Sequence, residues 1–193
     1  MSVDSNLNFQ SSLDLIIGPM YSGKSTELIR RLNIFAEMGL KVLYVNSKID
    51  NRTDENFSTH SSVIKSVGKI DSIKVDKLDD IKFQEYQIIG IDEAQFFGKL
   101  KSFIMKFVEE HGKKVIVTGL NGDYLRRPFG EVNDLIPICD NVTKLNPFCK
   151  MCIDRDTTVR NALFTKRITC HTDTVVVGSK DLYIPACREC YLK

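Results

Sequence analysis

Apolar and polar positions along the chain predict strands and helices in alternation. Short apolar runs predict buried strands at residues 13–17, 41–46, 86–91 and 114–118, with weaker runs at 72–75 and 141–145. Apolar residues recur at helical spacing over 24–38, just after the first strand, and again over 100–108. Strands that alternate with helices in this way favour an α/β fold with a parallel sheet flanked by helices.

The pattern changes from residue 146 onward, where no long helix is legible. An alternating stretch around 172–178 predicts a small β unit in this part of the chain. We therefore divide the chain into an α/β domain over residues 1–145 and a smaller domain over 146–193. Residues 47–62 are polar and predict a loop.

Composition is typical of a globular protein. Hydrophobic residues make up 42% of the 193, and no apolar run approaches the roughly 18 residues that a membrane helix needs. The first ten residues are polar and lack the features of a secretion or import signal, so we expect a cytoplasmic location. Basic residues number 27 against 25 acidic ones and are spread along the chain, which gives no reason to expect nucleic acid or a membrane as partner.

Residues 18–25 match the pattern G-x-x-x-x-G-K-[ST], a loop whose backbone N–H groups surround nucleotide phosphates. The alternative is a flexible turn that happens to contain glycine, but a strand before the loop and a helix after it are the expected context. In such a loop the lysine reaches the β- and γ-phosphates, and the final hydroxyl binds Mg²⁺. The predicted phosphate-binding residues are Gly18, Pro19, Met20, Tyr21, Ser22, Gly23, Lys24 and Ser25.

Two adjacent carboxylates end the strand predicted at 86–91. Asp92 is placed to hold Mg²⁺ together with Ser25, although a carboxylate there would also serve as a simple strand-end cap. Glu93 could accept a proton from whatever attacks the γ-phosphate. If water attacks, the protein is an ATPase, and if a substrate hydroxyl attacks, it is a kinase; these residues alone leave the choice open.

None of the six cysteines occurs before Cys139, and four of them form two C-x-x-C pairs. Two such pairs can supply the four thiolates of a closed, tetrahedral, structural Zn²⁺ site. Two disulfides or a redox-active pair are the alternatives, and a reducing compartment argues against the first. The remaining Cys139 and Cys170 are interpreted as buried thiols. The predicted zinc ligands are Cys149, Cys152, Cys187 and Cys190.

Three further segments accompany these motifs: I-D-E-A-Q-F-F at 91–97, R-P-F-G at 127–130 and T-K-R at 165–167. With them, the chain from about residue 13 to its end resembles the zinc-containing thymidine kinases of cells and large DNA viruses. The resemblance implies transfer of the γ-phosphate of ATP to the 5′-hydroxyl of thymidine, and secondarily of deoxyuridine, in nucleotide salvage for DNA synthesis. It also implies a P-loop domain carrying a zinc-bound lasso, usually in a homotetramer.

The resemblance also implies roles for single residues. Glu93 matches the general base, Asp50 and Arg52 match a D-x-R element near the phosphates, and Gln95 lies in the matched segment beside the ATP site. Without the resemblance, 50–52 would be a solvated loop and most of the aromatic residues would be core. Residues that match thymidine contacts are Met20, Phe96, Tyr124, Phe129, Thr165, Thr174, Val175, Val176, Val177, Gly178 and Tyr183.

Four positions depart from the family pattern, and they blur substrate breadth without touching the predicted base or magnesium ligands. They are Asn121, Tyr124, Thr174 and Ser179.

Two rival functions remain. The run at 92–95 resembles the D-E-x-x box of helicases, but a second motor domain has no room in this length. A regulatory protein that binds ATP without chemistry is the other.

Overall fold

The computed structural model describes residues 10–50, 70–169 and 182–193. Within these ranges, six strands form one sheet in which every pair is parallel. The strands are β1 (Ser12–Ile17), β2 (Val42–Ser47), β3 (Ile70–Val75), β4 (Ile88–Ile91), β5 (Lys114–Gly119) and β6 (Asn141–Lys144). Their order is β3-β2-β4-β5-β1-β6, so β1 and β4, which lead into the predicted phosphate and magnesium residues, both flank β5.

Helices cover both faces of this sheet, which is why the central strands are almost wholly apolar. On one face, α1 (Lys24–Glu37) packs Leu28 and Leu32 against Tyr44 of β2. On the other, α2 (Leu100–Met105) and the π-helical turn Lys106–Glu110 supply Phe103 and Phe107. The α/β fold with a parallel sheet, predicted from the alternating pattern, is confirmed.

The part of the chain after residue 145 forms what we call the cysteine unit, described over 146–169 and 182–193. Two antiparallel strands, β7 (Phe164–Arg167) and β8 (Tyr183–Ala186), lie with two short helices, α3 (Lys150–Asp156) and α4 (Arg188–Leu192). Each helix begins directly after the first cysteine of a C-x-x-C pair. The prediction of a β unit was therefore incomplete, because helices of one to two turns are too short to show a period.

Most element boundaries agree with the sequence prediction to within two residues. The helix predicted over 100–108 changes from α to π geometry at Lys106. Three short 3₁₀ helices, Leu78–Asp80, Ala94–Phe96 and Val132–Ile138, were not predicted, because they have no apolar period of their own. Across the described ranges, no helix combines the length and hydrophobicity that a membrane crossing requires. The alternating stretch at 172–178 lies outside the described residues.

Candidate active site

The loop between β1 and α1 has a backbone shape that depends on its two glycines. Gly18 has φ +155°, and a Cβ there would lie 2.3 Å from the carbonyl oxygen of Leu145. Gly23 has φ +83° and precedes α1, whose N-terminus has no side-chain cap. Lys24 is buried, and its Nζ donates to the carbonyl oxygen of Pro19 at 2.9 Å. The uncapped helix end and the lysine over the loop form a cationic cradle suited to an anion.

Asp92 accepts hydrogen bonds from three residues of the site. Tyr44 donates its hydroxyl to Oδ2 at 2.7 Å, while the Thr118 hydroxyl and the Glu93 N–H donate to Oδ1. The Ser25 side chain also lowers the pKa of Asp92, which places the phosphate loop beside the end of β4. Burial raises the pKa of Asp92 and the charge of Glu93 raises it further, while the three hydroxyls act in the opposite direction. A divalent cation beside Ser25 and Asp92 would favour the ionised form.

Sequence reasoning missed two of these partners. Tyr44 lies on β2 and Thr118 on β5, the two strands that flank β4, and both side chains are fully buried. In the sequence, each of these two residues is a hydroxyl-bearing residue within an otherwise apolar strand. Such a residue points to Asp92 as its partner only when the strand order is known.

Glu93 follows Asp92 in the left-handed backbone region, with φ +49°, which is uncommon for a residue with a side chain. It is buried, and its Oε2 accepts a hydrogen bond of 2.5 Å from Nε2 of Gln95. The amide oxygen of Gln95 accepts in turn from the Leu120 N–H at 3.0 Å. Because a backbone N–H can only donate, the NH₂ group of Gln95 must face the carboxylate. Gln95, predicted at the ATP site, thus holds the predicted base.

Asp50 lies just beyond β2, at the same edge of the sheet as Asp92. It is buried, and its Oδ2 accepts from Nδ2 of Asn46 at 3.2 Å. Lys74 donates to the backbone carbonyl of Asp50 at 3.2 Å. The acidic half of the predicted D-x-R element is therefore built into the fold, and Arg52 lies outside the described residues.

Thr165 connects the cysteine unit to the phosphate loop. Its hydroxyl oxygen accepts a hydrogen bond of 3.0 Å from the backbone N–H of Met20, although the two residues are 145 positions apart in the chain. Thr165 is buried. Two residues predicted separately as thymidine contacts thus touch, and they do so where the two parts of the molecule meet.

Aromatic side chains predicted for thymidine fall into two groups. Phe96 and Phe129 meet edge to face, with ring centroids 5.8 Å apart. Tyr124 and Tyr183 both contact the Arg167 guanidinium, whose Cζ is 3.7 Å and 5.1 Å from their ring centroids. Arg167 also donates to the hydroxyl of Tyr183. The predicted contacts Thr174, Val175, Val176, Val177 and Gly178 lie outside the described residues.

The four paired cysteines converge. Their sulfur atoms all lie within 4.8 Å of one another, and Cys152 is 3.8 Å from Cys187 and 3.5 Å from Cys190, sulfur to sulfur. Four thiolates about 2.3 Å from a tetrahedral zinc ion would be separated by about 3.8 Å, whereas a disulfide bond is about 2.05 Å long. The four residues fit a zinc ion and not two disulfides. Cys139 stands apart and is half-buried, with its thiol 3.2 Å from the Ile136 carbonyl.

The parallel sheet, the glycine-bounded loop and the adjacent carboxylates define a P-loop α/β nucleotide-binding protein. The fold is similar to that of the flagellar accessory protein FlaH from Methanocaldococcus jannaschii, with a TM-score of 0.50, 17% identity, and coverage of 79% of this chain and 76% of FlaH. At that identity the similarity concerns the fold alone.

The family model for thymidine kinase matches residues 11–191, and the chain belongs to the thymidine kinase family. It is 40% identical to "Thymidine kinase a" of Arabidopsis thaliana, over 94% of this chain and 75% of the plant protein. It is 38% identical to the thymidine kinase of Choristoneura biennis entomopoxvirus, over 93% of this chain and 96% of the viral protein. Phosphorylation of thymidine is the activity of this family, so the choice between ATPase and kinase falls to kinase.

Proposed function

We propose that this chain transfers the γ-phosphate of ATP to the 5′-hydroxyl of thymidine, with Glu93 as the general base. One observation carries the assignment: the two carboxylates at the end of β4 have different partners. Asp92 lies beside Ser25 of the phosphate loop, whose hydroxyl lowers the pKa of Asp92, whereas Glu93 accepts a hydrogen bond from the amide of Gln95. An Asp beside the phosphate loop suits a cation ligand, and a Glu held by a neutral amide suits a proton acceptor.

Gln95 positions the base in this mechanism. A Glu side chain has several rotamers, and the amide of Gln95 selects one of them because the Leu120 N–H fixes its own orientation. Gly130 contributes close packing, since a Cβ there would lie 2.5 Å from the Gln95 carbonyl oxygen. A carboxylate fixed before substrate binds loses little entropy when the hydroxyl proton is transferred.

The donor phosphates are assigned to residues 18–25, with Lys24 toward the β- and γ-phosphates. Ser25 and Asp92 would hold Mg²⁺, which when bound neutralises charge on the phosphate oxygens. Asp50, at the same end of the sheet, is assigned to the donor site, and Arg52 is assigned to it as the partner of Asp50 in the D-x-R element. The side-chain oxygens of Ser25 and Asp92 come from separate elements that the fold brings together, which supports their use as one cation site.

The acceptor pocket is assigned to the described residues Met20, Phe96, Tyr124, Phe129, Thr165 and Tyr183, with the lasso residues at 174–178. Aromatic faces suit a flat pyrimidine ring, and we expect thymidine to be phosphorylated fastest, deoxyuridine more slowly and purine nucleosides negligibly.

Zn²⁺ on the four cysteines would stabilise the cysteine unit, which contributes Thr165 and Tyr183, without contacting the substrate. We carry over the homotetramer as part of the proposal; light scattering would then give about four times the 22.0-kDa chain mass.

Purified chain, ATP, Mg²⁺ and a panel of deoxynucleosides, scored for 5′-monophosphate, test the reaction. The base is tested with Glu93→Gln, which keeps the size of the side chain and removes the proton acceptor. We expect kcat to fall by about 10²–10⁴-fold while ATP still binds. Glu109→Gln, on the exposed side of the π-helical turn, is the matched control and should act as wild type.

Three results would contradict the proposal. Undiminished turnover in Glu93→Gln would show that Glu93 is not the general base. ATP hydrolysis stimulated by nucleic acid, with no nucleoside monophosphate formed, would favour the helicase-like alternative. ATP binding with no turnover of any nucleoside would favour a regulatory binder.

A further inference from the structure

The segment between β5 and the 3₁₀ helix, residues 120–131, carries the proposed thymidine contact Tyr124, and we call it the substrate loop. Asp123 closes it: its Oδ1 accepts from the backbone N–H groups two and four residues further on, each at 2.8 Å. Arg126, inside this turn, has φ +64°, a conformation that costs free energy for a residue with a side chain. A turn with such a residue benefits from contacts that come from outside the loop.

Tyr191 of the cysteine unit supplies such contacts. Its hydroxyl donates to the backbone carbonyl of Tyr124 at 2.7 Å, across 67 positions of sequence. The guanidinium of Arg126 lies over its ring, with Cζ 4.6 Å from the centroid. The ring also packs against Phe164 of β7, centroid to centroid 5.2 Å. One side chain therefore contacts both the backbone of the substrate loop and the side chain of its strained residue.

The position of Tyr191 is in turn set by the cysteine cluster. It directly follows Cys190, and its backbone N–H donates to the carbonyl of Cys187 at 2.9 Å. Both cysteines belong to the cluster that fits zinc. The path from the cluster to the substrate loop is thus a single residue long.

We propose that Tyr191 is a positioning residue for thymidine binding, because it transmits the fixed geometry of the cysteine cluster to the substrate loop. Zinc then acts on the substrate pocket by a second route, separate from the residues at 174–178. The effect falls on the nucleoside side of the reaction, since ATP phosphates are assigned to the loop at 18–25. This inference rests on the proposed thymidine kinase activity.

The test is steady-state kinetics of Tyr191→Phe and Arg126→Met, with metal content measured on the same samples. Tyr191→Phe keeps the ring and removes only the hydroxyl donor. We expect KM for thymidine to rise about fivefold, as for loss of one hydrogen bond, with kcat within about twofold. KM for ATP and zinc per chain should be unchanged. Arg126→Met should also raise KM for thymidine, and the double variant should raise it by less than the product of the two, because the residues touch.

Tyr86→Phe is the matched control: its hydroxyl donates to Asp71 at the far edge of the sheet, and its loss should leave both KM values unchanged. An unaltered KM for thymidine in Tyr191→Phe would overturn the proposal. So would loss of zinc or of fold in that variant, which would make Tyr191 a structural residue of the cluster, and so would equal changes in both KM values. A wild-type enzyme without thymidine phosphorylation would instead contradict the proposed function itself.

Discussion

The sheet and the cysteine unit are held together by different physical means. In the sheet, fully buried aliphatic side chains such as Leu15, Ile89 and Val117 pack between helices on both faces. In the cysteine unit, the buried cluster consists of the four cysteines with Ala162 and Ala186, joined at its margin by Met151 and Tyr191. Alanines and thiols bury little apolar area, so hydrophobic burial can stabilise the sheet but contributes little to the unit. One chain thus combines a large apolar core with a small part whose cysteine cluster is suited to stabilisation by a metal ion.

Cys187→Ser gives the largest expected effect, because it removes one of four ligands. Structural zinc in small domains contributes about 10–16 kcal/mol, so we expect bound zinc to fall below about a tenth per chain and kinase activity to be abolished. Helical signal in far-UV circular dichroism should be largely kept, since the sheet domain does not use the metal. Cys139→Ser, outside the cluster, is the control. A well-folded, metal-free and active Cys187→Ser enzyme would show that the cysteine unit does not need a metal for its stability.

Leu32→Ala tests the other side of the comparison. Leu32 is fully buried and faces Gly90, where a Cβ would lie 2.5 Å from its Cδ1. We expect a loss of about 2–5 kcal/mol in the free energy of unfolding, measured with urea, while the zinc content stays at wild-type level. Ile34→Ala, on the exposed side of the same helix, should cost less than about 1 kcal/mol. Loss of zinc on mutation of Leu32 would mean that the two parts do not fold independently.

Thr165→Val acts on the junction between the two regions. Valine has the same shape but cannot accept the hydrogen bond from the Met20 N–H, so we expect a cost of about 1 kcal/mol. KM for thymidine should rise several-fold, and Thr165→Ser, which restores the oxygen, should recover most of it. If serine and valine behave alike in these kinetics, the hydroxyl has no part in joining the two regions.

Glu27 gives the smallest effect and a pH dependence that belongs to the sheet side. Hydrogen bonds and charge from Arg30 and then Arg31, acting against partial burial, lower the pKa of Glu27 from 4.5 to about 2. Because the folded pKa is depressed, the stabilisation is present above pH 4.5 and is lost as the pH falls toward 2. Glu27→Gln should cost about 0.3–1 kcal/mol at pH 7 in urea unfolding. The difference from wild type should shrink below pH 4.5, and a constant difference would contradict the ion-pair explanation.

The same division decides what could be predicted from sequence. Strong apolar patterns correctly predicted β1, α1 and β5. The patterns are strong there because the apolar residues of these elements are buried against the adjacent strands and helices of the sheet. The weak runs at 72–75 and 141–145 proved to be the two outer strands β3 and β6, where less burial leaves less pattern. The helices α3 and α4 could not be predicted, because seven and five residues are too few to show an apolar period.

For the candidate site, the sequence predicted the loop at 18–25, the adjacent carboxylates and the four paired cysteines, and the structure brings these cysteines together. It could not supply contacts between distant positions. The hydroxyls of Tyr44 and Thr118 on Asp92, the amide of Gln95 on Glu93 and the bond from Tyr191 to Tyr124 all depend on strand order and on how the cysteine unit meets the sheet. No local pattern encodes such pairs.

The uncapped first turn of α1 has a practical consequence for anyone who measures these variants. Backbone N–H groups at that turn can donate hydrogen bonds to a small oxyanion. An anion that binds only the folded chain raises the melting temperature of the protein, and the increase grows with the logarithm of the anion concentration. Phosphate or sulfate buffers are therefore expected to give a higher melting temperature than Tris hydrochloride does. Melting curves for different substitutions become comparable only when the buffer anion is kept the same.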